Sequence, residues 1–195
     1  MHGLINRAIQ RFVRDTYGPE AWEDVARGAG APASGFEAML NYDDAITWRL
    51  LDVASARLSR PREVLLEDMG TYLVSHPHME ALRRLLRFGG PDFIDFLHSL
   101  EDLPDRARLA VRDLALPALE IEEVSPKSFE LRCHAPADGF GHVLVGVLRT
   151  MADDYGALAV LEHLGRDAAC ERVGIDVMMS GFCPGRAFEL ASRAA

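Results

Sequence analysis

The spacing of apolar residues changes once along this chain, close to Pro117, and this change limits the folds that the sequence can adopt. Before Pro117 the apolar residues recur at helical spacing, as in Leu4, Ile5, Ala8, Ile9, Phe12 and Val13. After Pro117 they alternate, with Leu119 and Ile121 in one segment and Phe129 and Leu131 in the next. The pattern predicts an α+β fold in which helices precede a sheet of about four antiparallel strands.

The boundaries of these elements follow from glycine, proline and the apolar periods. We expect early helices before Gly18, from Pro19, at about 35–40, at about 43–58 and from Pro61 to about 75. Two further helices are expected: one carries Leu82, Leu85 and Leu86 and stops at Gly89-Gly90, and the next starts at Pro91 and continues through Leu103. In the second half we expect a hairpin turn at 125–127, a helix at about 139–155 and strands at 157–164 and 171–179.

Charge and cysteine content exclude several classes of protein. The 195 residues carry a net charge of -9, which disfavours nucleic acid and anionic membranes as partners. The N-terminus lacks the pattern of a signal peptide, and no apolar run reaches the length of a membrane helix, so we expect a soluble cytoplasmic protein. Cys133, Cys170 and Cys183 contain no CxxC spacing, which favours reduced thiols over disulfides, with a zinc site as the alternative.

Four segments carry a resemblance to a known family. They are MHGLINRAIQRFVRDTYGPEAWEDV at the N-terminus, NYDDAIT, RFGGPDFIDFLHSLEDL and FELRCHAPADGFGHVLVGVLRTMADDYG. Over about residues 1–180 the chain resembles the heme nitric oxide/oxygen-binding (H-NOX, or HNOB) family, which includes the β subunit of soluble guanylate cyclase. The resemblance implies a single domain at 1–185, with a distal helical subdomain at about 1–60, a proximal helix and sheet subdomain at 61–185, and a tail at 186–195.

The resemblance implies b-type heme as the cofactor, yet the residues that hold heme in the family are replaced in this chain. The family's histidine ligand to iron falls at Pro104, which offers no lone pair to the metal. The family's Tyr-x-Ser-x-Arg motif, which binds the two propionates, falls on Cys133, Ala135 and Ala137. Buried carboxylates require charge-assisted hydrogen bonds, which these three side chains do not supply. The sequence therefore predicts heme that is either ligated atypically or lost.

Other positions of the family's heme pocket retain apolar residues. By resemblance, Pro117 presses on the porphyrin, Ile5 packs near the heme from the first helix, and Val143 lies on the distal side. Val143 offers no hydrogen bond to bound O2, which would favour nitric oxide as the ligand of any heme present. The apolar Leu97 is included among the candidate pocket residues.

His98 is the candidate replacement for the missing iron ligand. On one continuous helix, six residues would separate His98 from Pro104 by a rotation of roughly 240° and a rise of about 9 Å. Ligation by His98 therefore requires the helix or the heme to move. The alternative is a partly buried histidine whose ring hydrogen-bonds to a backbone carbonyl.

The remaining histidines receive other interpretations. His76 and His78 flank Pro77 at an expected helix end, where capping is expected and a role as metal or distal ligands is the alternative. His134 and His142 border the replaced propionate motif, and each has one hydrogen bond to offer a carboxylate. Neither histidine supplies the two parallel hydrogen bonds that the guanidinium of the family's arginine donates to a carboxylate.

The resemblance implies a sensory domain without catalytic activity that signals to a separate enzyme, such as a histidine kinase or a diguanylate cyclase. Three hypotheses remain open at this point. The first is a nitric oxide sensor with atypically ligated heme. The second is a heme-free relative that binds another apolar ligand, and the third is a heme-free regulator that acts by protein contact.

Overall fold

The architecture is α+β, as the sequence predicts, with helices first and an antiparallel sheet second. The computed structural model describes residues 1–32, 34–135, 138–168 and 170–187. The helices of these residues are α1 (Gly3–Tyr17), α2 (Pro19–Ala29), α3 (Asp44–Leu58), α4 (Arg62–Ser75), α5 (Glu80–Arg87), α6 (Phe93–His98), α7 (Leu103–Ala110) and α8 (Phe140–Tyr155). The strands are β1 (Ala118–Ser125), β2 (Ser128–His134), β3 (Leu158–Asp167) and β4 (Cys170–Met179).

Local signals in the sequence explain where the first helices begin and end. The His2 side chain accepts a hydrogen bond from the backbone N–H of Leu4 and so caps α1. Gly18 then adopts a φ of 96°, a conformation open to glycine, and Pro19 starts α2. Asp43 caps α3 in the same way as His2 caps α1, by accepting a hydrogen bond from Ala45 N–H.

The helix expected at about 35–40 is absent, and that prediction was wrong. Two side chains bind the backbone of this non-helical segment: Gln10 Oε1 accepts from Phe36 N–H at 3.2 Å, and the Tyr42 hydroxyl accepts from Glu37 N–H at 2.9 Å. The Phe36 ring packs at right angles to Tyr42, with the ring centres 5.0 Å apart. Tertiary contacts therefore decide the conformation of this segment.

The helix expected to run unbroken from Pro91 through Leu103 is also interrupted. After α6, residues Ser99–Asp102 form a 3-10 turn, and α7 then begins at Leu103 with Pro104 in its first turn. A proline inside an α-helix lacks an N–H and its ring clashes with the carbonyl four residues earlier, here that of Leu100. The interruption allows the chain to place Pro104 at a helix start, where a proline is tolerated. The rotation and rise calculated for a continuous helix between His98 and Pro104 therefore do not apply.

The strands form one sheet in the order β1-β2-β4-β3, with antiparallel neighbours. Alternate residues of β4 face the core, including Val173, Ile175 and Val177, and the same alternation buries Phe129, Leu131 and Cys133 of β2. The predicted α8 and the predicted strands are confirmed to within a few residues. In the described part of the chain, no helix has the length and apolar character needed to cross a membrane.

Buried apolar residues of the described chain form two clusters. The helical core contains residues of α1 to α4, such as Phe12, Trp22 and Leu50. The sheet core contains Phe93 and Phe96 together with the inner faces of α8 and the sheet. Helix α4 contributes Leu66 to the first and Val74 to the second, although the sequence prediction places its residues in the second subdomain. Val143 on α8 packs against both cores, so α4 and α8 join the two halves.

Candidate functional site

Pro104 occupies a buried position at the start of α7, at the place that the resemblance assigns to the iron ligand. Leu97, seven residues earlier on α6, is fully buried in the sheet core. Leu100 and Leu103, which precede Pro104 in the chain, are also buried. This part of the fold presents no donor atom from Pro104 to a metal.

The positions of the propionate motif lie at the end of β2. Cys133 and Ala135 are buried, with 0% and 1% of their surfaces exposed, and Ala137 lies outside the described residues. Burial, helped by the negative charge of Glu171, raises the pKa of the Cys133 thiol to about 12, so the thiol remains neutral at physiological pH. Neither described side chain supplies a charged hydrogen bond to a carboxylate.

Ile5 and Val143 line one small apolar cavity, which also contacts Thr47, Leu66 and Met69. Its volume is about 40 Å³. The structure therefore brings together Ile5, which by resemblance packs near the heme, and Val143, which by resemblance lies on its distal side. Pro117 lies half-buried just before β1.

His98 ends α6 with an exposed side chain, and its ring contacts the edge of the Phe129 ring, 5.6 Å between centres. The exposed position differs from the partly buried one that the sequence favours. Iron ligation by His98 stays a prediction. Because the imidazole ring is exposed, binding a heme inside the fold would also require the ring to move inward from the surface. His134, also considered at the sequence level, lies 3.2 Å from the Glu120 carboxylate at the surface.

A buried carboxylate, Glu171, holds the start of α8. Its Oε1 accepts a hydrogen bond from Gly139 N–H at 2.9 Å, and its Oε2 accepts one from Gly141 N–H at 3.1 Å. Only 2% of Glu171 is exposed. A carboxylate is favourable here because the first amides of a helix have no partner within the helix and carry partial positive charge. Glu171 pairs with Cys133 across β4 and β2, so it lies beside the replaced propionate motif.

Two stacked histidines extend this arrangement toward α4. His163 Nε2 lies 3.3 Å from Glu171 Oε1, and the His163 and His142 rings stack with centres 3.9 Å apart. His142 Nδ1 lies 3.3 Å from Glu67 Oε1 on α4. The prediction that His142 has a hydrogen bond to offer a carboxylate agrees with this geometry, and the carboxylate belongs to the protein itself.

A second, larger cavity opens beside the stacked histidines. Its volume is about 190 Å³, and its lining is polar and charged, including Arg62, Glu63, His142, His163, Arg166 and Glu171. Arg166 donates to the Ala135 carbonyl at 3.1 Å and to Asp138 at 2.6 Å, so this guanidinium reaches the end of the propionate motif.

The fold is similar to that of solved H-NOX structures. The I5F mutant of T. Tengcongensis H-NOX matches at a TM-score of 0.76 and 15% identity, and the match covers 92% of this chain and 99% of that one. An Fe(II) unliganded H-NOX protein from K. algicida matches at a TM-score of 0.75 and 20% identity, covering 97% of this chain and 100% of that one. These identities are low, and the likeness shows the fold.

The family model described as Haem-NO-binding matches residues 2–163, and the chain belongs to this family. The chain is 27% identical over 156 residues to soluble guanylate cyclase gcy-32 of Caenorhabditis elegans and 23% identical over 154 residues to gcy-31 of the same organism. These matches cover 78% and 79% of this chain but only 23% and 22% of the relatives. H-NOX domains are sensor domains without catalytic activity, they bind heme, and they signal to partner enzymes such as cyclases or kinases.

The residues of this chain do not fit the family's b-type heme at the assigned positions. The ligand position carries a buried proline, and the described propionate positions carry a neutral thiol and a methyl group. The cavities of about 190 and 40 Å³ are both smaller than the roughly 300–1,000 Å³ typical of small-molecule pockets. The amides at the start of α8 already have a carboxylate partner in Glu171.

Sequence analysis missed Glu171, although the sequence contains a signal for it. Glu171 stands in phase with Val173, Ile175 and Val177, the inward residues of β4. A carboxylate at an inward position of an apolar alternation must be paired, because an isolated buried charge is costly. Its partners at the start of α8 are 30 and 32 residues away in the chain. The alternation along β4 therefore predicts that Glu171 is buried, but it does not predict which amides bind it.

Proposed function

We propose that this H-NOX domain regulates a separate signalling enzyme by protein contact and functions without b-type heme. The observation that carries the proposal is the Glu171 carboxylate, which satisfies the start of α8 beside the replaced propionate motif. Pro104 supports it, because the iron has no axial donor there. The small cavities favour a contact-dependent role over the binding of a bulky apolar ligand.

A visible absorption spectrum tests the proposal. The protein is produced with an ample supply of heme, and the purified protein is then titrated with hemin, with the Fe(II) H-NOX protein from K. algicida as the positive control. We expect no Soret band beyond that of free hemin and no change on adding nitric oxide. A stoichiometric Soret band that shifts with nitric oxide would overturn the heme-free proposal.

The second candidate function is nitric oxide sensing through atypically ligated heme, and the position of Arg166 favours it. The Arg166 guanidinium reaches the Ala135 carbonyl, close to where the family binds propionates, and Arg62 lines the same cavity. If a Soret band appears in the hemin titration, His98→Ala should abolish it, whereas His134→Ala, which alters another exposed histidine, should leave it unchanged. A band that survives His98→Ala excludes His98 as the ligand.

The regulatory part of the proposal has its own readout. The activity of a histidine kinase or a diguanylate cyclase from the same organism is measured with and without a saturating amount of this domain. We expect the domain alone to change the rate of the cognate enzyme and added nitric oxide to have no further effect. Equal rates with and without the domain, for every such enzyme of the organism, would contradict contact-dependent regulation.

A further inference from the structure

Three potential metal ligands meet where α1 contacts the end of α4. Asp15 lies near the end of α1, and His76 and His78 flank Pro77 directly after α4. One ligand atom from each of these residues lies within 4.8 Å of the others. We refer to them as the Asp15–His76–His78 cluster. None of the three is among the residues that the family resemblance assigns to heme.

Contacts within the fold hold this cluster in position. The Tyr72 hydroxyl donates a hydrogen bond to Asp15 Oδ2 at 2.7 Å, and the Tyr72 ring stacks on His76 with centres 4.6 Å apart. His78 Nδ1 lies 3.5 Å from the same Asp15 oxygen. Pro77 opens a 3-10 turn that places the two imidazole rings 4.9 Å apart. Both histidines therefore approach one carboxylate from the same short segment.

The burial of the cluster suits an ion that arrives from solvent. The Asp15 side chain is 15% exposed, whereas that of His78 is 70% exposed. Burial alone would raise the pKa of Asp15, but hydrogen bonds from Tyr72 and His78 and nearby positive charge hold it below its ordinary value. Asp15 is thus an exposed residue with a partly covered side chain, and His78 remains accessible to solvent.

The donor set indicates which ions the cluster fits. Two imidazole nitrogens and one carboxylate oxygen are ligands of Zn²⁺, whose open sites combine three protein ligands with a water molecule. Mg²⁺ and Ca²⁺ prefer sets made of oxygen atoms. The His76 ring already accepts a weak hydrogen bond from the backbone N–H of His78 at 3.3 Å. His76 therefore caps the start of the 3-10 turn, whereas the sequence led us to expect capping at the end of a helix. This single contact is the one that metal ligation by His76 Nδ1 would replace.

We propose that Asp15, His76 and His78 bind a divalent transition-metal ion of the Zn²⁺ type and thereby join α1 to the end of α4. The bound ion completes its tetrahedral shell with water. Because the site joins two helices of the helical core, binding stabilises the folded chain. The site requires no heme, so it is independent of the function proposed above.

Calorimetric titration of the full chain with Zn²⁺ tests this site. We expect one ion per chain, with affinity falling as the pH is lowered because imidazole binds metals in its neutral form. Asp15→Asn and His78→Ala should each weaken binding by at least about tenfold. Asp15→Asn retains an oxygen acceptor for Tyr72, and His78 is exposed, so both variants should fold, which circular dichroism verifies. His134→Ala, at another surface histidine–carboxylate pair, is the matched control and should bind as the wild type does.

Two further measurements make the result decisive. At a free Zn²⁺ concentration about 100 times the dissociation constant of the wild type, the Tm of the wild type should rise by about 5–10 °C, and that of His78→Ala by no more than about half as much. Co²⁺ substituted for Zn²⁺ should show no thiolate-to-cobalt charge-transfer band, which separates this cluster from the cysteines. The proposal is overturned by absence of binding, by unchanged affinity in the two variants, or by a cobalt–thiolate band.

Discussion

Glu171 shows how one side chain determines the local structure of several elements. It lies on β4, accepts hydrogen bonds from two amides at the start of α8, and contacts His163 of β3. Each of these amides would otherwise be a buried donor without a partner, which costs about 1–3 kcal/mol. The carboxylate thus links the sheet to the helix that covers it.

We predict that replacing Glu171 destabilises the protein in proportion to the acceptors removed. Glu171→Ala should lower the free energy of unfolding by about 2–4 kcal/mol, because two buried amides lose their acceptor. Glu171→Gln keeps one oxygen acceptor, so its free energy of unfolding should lie between those of the alanine variant and the wild type. Urea unfolding of the three proteins measures the differences. An alanine variant as stable as the wild type would show that the carboxylate does not hold α8.

At the scale of elements, α4 and α8 approach each other closely at two glycines. A Cβ at Gly70 would overlap the backbone carbonyl oxygen of Val143, and a Cβ at Gly146 would overlap that of Glu67. Backbone atoms within helices cannot move aside as a flexible side chain can. The two glycines therefore set the distance between the helices that join the two cores.

We predict that Gly70→Ala and Gly146→Ala destabilise the fold even though alanine is the better helix former. The gain in helix propensity is about 1 kcal/mol, and the overlap with backbone should exceed it, with a net loss of about 1–3 kcal/mol. Thermal and urea unfolding provide the measurement. Gly28→Ala is the control, because the atoms nearest to a Cβ there belong to the Val53 side chain and not to the backbone, and the stability of this variant should change less. Equal stability of all three variants would contradict the close contact.

The elements that the sequence predicts well are those whose apolar period is regular. The strands, α8 and α3 follow from alternation or helical spacing and are found within a few residues of the expected bounds. The segment at 35–40 is not helical in the structure, and one of its contacts is with Gln10, 26 residues from Phe36, a distance in sequence that leaves no local pattern. The apolar period predicts one helix through Leu103, whereas the structure has a 3-10 turn before Pro104. The proline ring would clash with the carbonyl of Leu100 in a continuous helix, and the apolar period does not report this clash.

At the scale of the whole molecule, a buried ion pair ties the end of α8 to α5 and to the segment after β4. Arg83 donates two hydrogen bonds to Asp154 Oδ1, at 3.0 and 2.8 Å, and both side chains are buried. The Asp154 backbone carbonyl accepts from Arg186 N–H at 3.0 Å. Parts of the chain that are more than 70 residues apart in sequence therefore meet at one carboxylate.

We predict that removing one partner of this pair costs more than removing both. Arg83→Met leaves the Asp154 carboxylate buried with weaker cationic neighbours and should lower the free energy of unfolding by about 3 kcal/mol. Combining it with Asp154→Leu should recover much of this loss, because the buried carboxylate that Arg83 neutralises is then removed as well. A double-mutant cycle by urea unfolding measures the coupling. Additive losses in the double variant would contradict this interpretation of the pair.

The internal carboxylate of Glu171 also has a consequence for how the domain depends on its surroundings. A helix start that is held by a dissociable molecule is formed only in the fraction of chains that have acquired that molecule. Here strand pairing delivers the acceptor to α8 in every copy of the chain, at a local concentration fixed by the fold. Maturation of α8 should therefore proceed equally in cells rich or poor in tetrapyrrole.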